Sequence, residues 1–119
     1  MKNASDVGID KFVIHPSGEP IDDSEREERM KCSIDTLNLL AETASSLGAV
    51  IAVEDLPRTC LGRNSEEINR LISENDKLCV CFDTNHLLEE DIPTFIKNIG
   101  NKIITTHVSD YDFKNERHW

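Results

Sequence analysis

The stretch Cys79-Val80-Cys81-Phe82-Asp83-Thr84-Asn85-His86 decides how this chain is read. Its first half is apolar and strand-prone, and its second half is Asp-Thr-Asn-His. An apolar run that stops abruptly at ligand-type side chains is the signature of a buried parallel strand opening into a site. Three other segments repeat the pattern. KFVIHP reaches His15, VIAVED reaches Glu54 and IITTHVSD reaches His107. Each run delivers a carboxylate or an imidazole at its C-terminal end.

The segments between these runs read as helices. Ser24 followed three residues later by Glu27 has the form of a capping box and predicts a helix running to about Leu47. Met30, Ile34, Leu37, Ala41 and Ala44 fall on one face of it, and Gly48 is a natural stop. Asn64 and Glu67 predict the start of a short helix with Ile68, Leu71 and Ile72 on its buried side. Asp91 with Pro93 predicts the start of another, carrying Ile92, Phe95, Ile96 and Ile99. Strands are expected over 11–15, 49–54, 78–82 and 102–107. The order is β-α-β-α-β-α-β, which implies right-handed crossovers and a parallel sheet covered by helices.

Strand phasing sharpens this expectation. If His15, Glu54, Asp83 and His107 face one way, then Val13, Ala52, Cys81 and Thr105 share their side. The other side carries Phe12, Ile14, Ile51, Val53, Val80, Phe82, Ile104 and Thr106. One small face and one bulky aliphatic face fit a barrel, with helices packed on the bulky outside. Sites in parallel α/β folds lie at the C-terminal strand ends, where His15, Glu54, Asp83, His86 and His107 all fall. A lone strand-end histidine is more often a hydrogen-bonded loop residue. Four strands in phase, each ending in such a residue, argue for a shared site. Its mixed imidazole and carboxylate donors suit a divalent metal: Mn²⁺, Zn²⁺, Co²⁺ or Mg²⁺.

Composition narrows the partners. The chain has 119 residues, enough for one domain or part of one, and a formal net charge of −10. That balance argues against nucleic acid or an anionic membrane as a general partner. No apolar run approaches the roughly 20 residues of a membrane span, and the N-terminus lacks a signal-peptide core. Cys32, Cys60, Cys79 and Cys81 show no disulfide or paired metal spacing, so a reducing cytoplasm is expected.

HPSGEP, AVEDLP, CFDTNH and HVSD together resemble successive strand ends of the sugar phosphate isomerase/epimerase superfamily. This is the xylose isomerase-like TIM barrel group, related to endonuclease IV. The resemblance covers nearly the whole chain. It implies a single partial (β/α)8 domain over 1–119, a half-barrel matching the fourth to seventh strands of eight, and hence a fragment, a truncated gene product or an engineered piece. It further implies Glu54, Asp83 and His107 as metal ligands. Glu54 would also be one of two glutamates that exchange a proton next to a sugar or sugar phosphate carbonyl, through an enediolate. His86 matches a substrate contact or an extra ligand. His15, Glu116 and His118 match positions that are ligands in the endonuclease branch.

A half-barrel exposes two strand edges, so self-association is expected, with little isomerase activity from the chain alone. Two alternatives stay open: metal-dependent phosphodiester hydrolysis of the endonuclease IV kind, and a non-catalytic remnant. Arg58 or Arg63 could meet a substrate phosphate, although surface arginines are the commoner case. Arg29 could reach the site from a helix that otherwise reads as a solvated face.

Overall fold

The computed structural model of the chain describes residues 1–109. Glu116 and His118 therefore lie outside the described residues. Four strands form one parallel sheet in sequence order: β1 (Lys11–Ile14), β2 (Val50–Glu54), β3 (Leu78–Asp83) and β4 (Ile103–His107). A one-turn helix α1 (Lys2–Ser5) precedes them, and α2 (Arg26–Ser46), α3 (Ser65–Ile72) and α4 (Ile92–Ile99) make the crossovers. The result is the expected α/β half-barrel.

The helices cover the bulky side of the sheet. Ile51, Val53, Val80 and Phe82 form one buried cluster with Met30, Leu37, Ala41 and Ala44 of α2, Ile68 and Leu71 of α3, and Phe95 and Ile99 of α4. Phe82 and Phe95 stack with ring centroids 4.9 Å apart, which fixes α4 against β3. Burying each large aliphatic or aromatic side chain of this layer contributes about 1.5–3 kcal/mol. The opposite side carries the small residues Ala52 and Cys81, both fully buried.

The helix starts follow the sequence signals in two cases out of three. The Asn64 side chain accepts the Glu67 N–H at 3.0 Å, and the Asp91 side chain accepts the Thr94 N–H at 2.8 Å. The capping box expected at Ser24 does not form. The Ser24 hydroxyl turns back onto Asp22 at 2.7 Å, the helix begins at Arg26, and Glu27 pairs instead with Arg70 of α3. A local cap lost to an ion pair across two helices.

Strand phasing needs one correction. Val80 pairs with Ile103, but Cys81 pairs with Thr105, so Ile104 is an extra residue in β4. Ile103 packs on the helix-side core in the place expected for Ile104, which is 37% exposed. The bulge resets the phase, and His107 still lies opposite Asp83.

Candidate active site

Register places the strand ends side by side. Glu54 sits opposite Cys81 on β3, and Asp83 sits opposite His107 on β4. Glu54 is 3% exposed and Asp83 is 2% exposed. Glu54 Oε1 lies 3.1 Å from His107 Nδ1, and Glu54 Oε2 lies 3.1 Å from His15 Nε2. His107 Nδ1 is also 3.7 Å from Asp83 Oδ2. One buried carboxylate thus receives imidazoles from both flanking sides of the sheet.

His86 enters from the turn after β3. Its Nδ1 lies 2.7 Å from the Asp55 carbonyl and 3.7 Å from Glu54 Oε1. Since a carbonyl only accepts, Nδ1 donates to it, and Nε2 faces Asp83 Oδ2 at 3.7 Å. That arrangement, one ring nitrogen tied to a backbone carbonyl and the other turned to carboxylates, is how metal-binding histidines are held. The Asp83 side chain is steadied in turn, because its Oδ1 accepts the Asn85 N–H at 2.8 Å.

The donors suit a cation. Glu54, Asp83 and His86 offer ligand atoms within 4.8 Å of one another, as do Glu54, Cys81 and His107. Buried carboxylates require a compensating charge. Among the described residues, the ion-pair partners of Glu54 and Asp83 are all histidines. Burial pushes the Cys81 thiol up to about 12, helped by the negative charges of Glu54, Asp55 and Asp83. An added cation would relieve each of these costs.

The fold has counterparts in known proteins. The family described as Xylose isomerase-like TIM barrel matches residues 1–119. The chain belongs to that family. No curated protein sequence matches it. Among solved structures it is similar to a D-tagatose 3-epimerase-like protein, at 25% identity and a TM-score of 0.85, over 97% of this chain and 46% of that one. It is also similar to the TTHB071 protein from Thermus thermophilus, from crystals soaked with ZnCl2, at 24% identity and a TM-score of 0.75, over 98% and 47%. A third is the 3-keto-D-glucoside 4-epimerase YcjR from E. coli, at 20% identity and a TM-score of 0.74, over 92% and 47%. The chain spans about half the length of these structures.

Within this family frame, the structure brings together Glu54, Asp83, His86, His107 and His15. His15 is the outlying member, with a side chain 63% exposed. The two candidate phosphate contacts are both in ion pairs. Arg58 pairs with Glu19, and Arg63 faces Glu67 and Glu89. Arg29 is exposed and lines a cavity on the α2 side of His15. The sequence reading missed Asp55. It is fully buried, its Oδ1 accepts the Asp83 N–H at 2.7 Å, and its carbonyl holds His86. The signal for it was present, since a second acid directly after Glu54 points to the opposite side of the strand end and has no solvent to meet.

Proposed function

We propose that the chain carries part of the active site of a metal-dependent sugar isomerase or epimerase, which moves a proton on a carbon next to a carbonyl. The observation that carries this is Glu54: buried, at a strand end, with His107 and His15 each 3.1 Å from one of its oxygens. Glu54, Asp83 and His107 would hold the divalent ion, with His86 as a further ligand or a contact to sugar oxygens. A divalent ion held there supplies Lewis-acid polarisation of a bound carbonyl.

Glu54 takes the proton from the neighbouring carbon, and the electron pair of that C–H bond moves toward the carbonyl oxygen. Return of a proton to the other face inverts the carbon. That step calls for a second acid–base group across the substrate, which another strand of a complete ring would carry. The chain by itself is expected to bind the ion weakly and to turn over no ketose or aldose. Among the described residues β1 and β4 each leave one edge unpaired, which favours pairing of half-barrels, and a sharp monomer peak in light scattering at micromolar concentration would count against it.

Calorimetric titration with Mn²⁺ and Zn²⁺ tests the reading. Binding to the wild-type chain that is lost in Asp83→Asn is expected, and absence of binding overturns it in favour of a non-catalytic remnant. The contact between His15 and Glu54 favours a second reading, phosphodiester hydrolysis at a multi-metal site, for which two or three ions per chain should titrate instead of one.

A further inference from the structure

A cavity of about 230 Å³ opens beside the cluster, between the loop after β1 and the loop after β2. His15 and His86 form part of its wall, and Ser17, Glu19, Arg58 and Cys60 form another part. It therefore shares two side chains with the proposed site and extends into residues that the proton transfer does not use.

The chemistry of those residues is specific. Arg58 Nε donates to Glu19 Oε2 at 3.1 Å, and Arg58 Nη2 donates to Glu19 Oε1. The Cys60 thiol lies 4.0 Å from the same Glu19 carboxylate. Arg58 takes a positive φ of 57°, uncommon for a residue with a side chain, and its guanidinium, on a side chain 48% exposed, is met by Glu19. The loop is braced from behind. Arg26 donates to the Thr59 and Cys60 carbonyls at 2.9 and 2.8 Å, and the Leu61 N–H donates to Ser17 Oγ at 2.9 Å.

A forked ion pair sets guanidinium N–H groups and carboxylate oxygens side by side on one wall. Sugar hydroxyls donate and accept at once, so they match such a wall. A phosphate ester carries about −1.5 to −2 charge near neutral pH and only accepts. Here it would meet Glu19 directly, with Glu54 and Asp83 behind His15 and His86. The nearby guanidiniums of Arg26 and Arg63 are both engaged by Glu67. Arg29 lines a different cavity.

We propose that this cavity is the subsite for the distal hydroxyls of an unphosphorylated sugar, with Glu19 and Arg58 setting the preference for a neutral chain over a phosphate ester. The inference rests on the isomerase or epimerase reading of the adjoining cluster, and it selects one of the two substrate classes that reading allows.

Ligand-observed NMR on the Mn²⁺- or Zn²⁺-loaded chain, with D-fructose and its terminal phosphate ester as probes, tests it. The free sugar should bind at least about tenfold more tightly, a difference of about 1.4 kcal/mol. Glu19→Gln, which removes the negative charge opposite Arg58, should close that gap by strengthening the ester. Arg58→Ala should weaken the free sugar. Tighter binding of the ester to the wild-type chain overturns the inference and leaves the sugar reading standing. A gap that neither variant changes overturns the assignment to Glu19 and Arg58. Metal binding with no response to either probe overturns the sugar reading, and the subsite with it.

Discussion

Asp55 Oδ1 accepts the backbone N–H of Asp83 at 2.7 Å, tying the end of β2 to the end of β3 inside the protein. The bond is made by a carboxyl group with no exposed surface. Burial raises the Asp55 carboxyl to about 8, the negative charges of Asp83 and Glu54 add to the rise, and the N–H bond from Asp83 opposes it. Asp55 is therefore protonated in the fold at neutral pH, whereas in the unfolded chain it ionises near 4.

Stability should follow from that difference. Between about pH 4 and 8 the folded state keeps a proton that the unfolded state releases. Stability is then fully present at the acid end of the window and falls as pH rises, by at most about 1.4 kcal/mol per unit. Urea unfolding of the metal-free chain at pH 5.5 and 8 checks this. Asp55→Asn keeps an acceptor for the Asp83 N–H and removes the ionisation, so its stability should be flatter across the same range. An equal slope in the variant would place the effect elsewhere.

Glu54 should separate binding from folding. In Glu54→Gln the carbonyl oxygen can still receive one imidazole N–H, but the buried charge is gone. Affinity for Mn²⁺ should fall by at least about tenfold, while the metal-free variant should be as stable as wild type or more so. Calorimetry and thermal unfolding read the two effects independently. Unchanged metal affinity would remove Glu54 from the ligand set.

His86 is oriented by a main-chain group, so its neighbours cannot be blamed for its loss. With Nδ1 held 2.7 Å from the Asp55 carbonyl, only Nε2 is turned toward Asp83. His86→Asn retains a side-chain donor for that carbonyl and removes the second ring nitrogen. A ligand role predicts at least about a tenfold loss of Zn²⁺ affinity. Intact Zn²⁺ affinity in this variant would assign His86 to substrate oxygens instead.

Much of this fold could be read from the chain because each strand carries its own message. VIAVE and LCVCFD are buried runs that end at Glu54 and Asp83, KFVI is a part-exposed run that ends one residue before His15, and period-two phasing put their polar ends on one side. What escaped was decided between elements. The Ile104 bulge depends on how β4 meets β3, which no single-strand pattern contains. Ser24 satisfied a local capping rule, yet Glu27 found Arg70, 43 positions away. Asp55 looked like a loop acid until the Asp83 N–H was seen to need an acceptor there. The Glu19–Arg58 pair likewise joins two loops whose sequences reveal nothing of their meeting.

Arg26 offers the sharpest test of how the site loop is held. Its side chain is only 13% exposed and places one fork on three partners: Glu67 at 2.7 Å, the Thr59 carbonyl and the Cys60 carbonyl. Glu67 Oε2 also accepts the Gly62 N–H at 3.0 Å, so α2, α3 and the loop after β2 share one network. Arg26→Met keeps the length and removes every donor. Two loop carbonyls then lose this partner and Glu67, with a side chain 12% exposed, is left without its main cation, a loss of about 3 kcal/mol. The thermal unfolding midpoint should drop by roughly 10 °C. The double variant Arg26→Met with Glu67→Gln should cost less than the sum of the single changes, because removing the second charge relieves the first loss. Strict additivity would mean that the two residues act separately and that the loop is held by its other contacts.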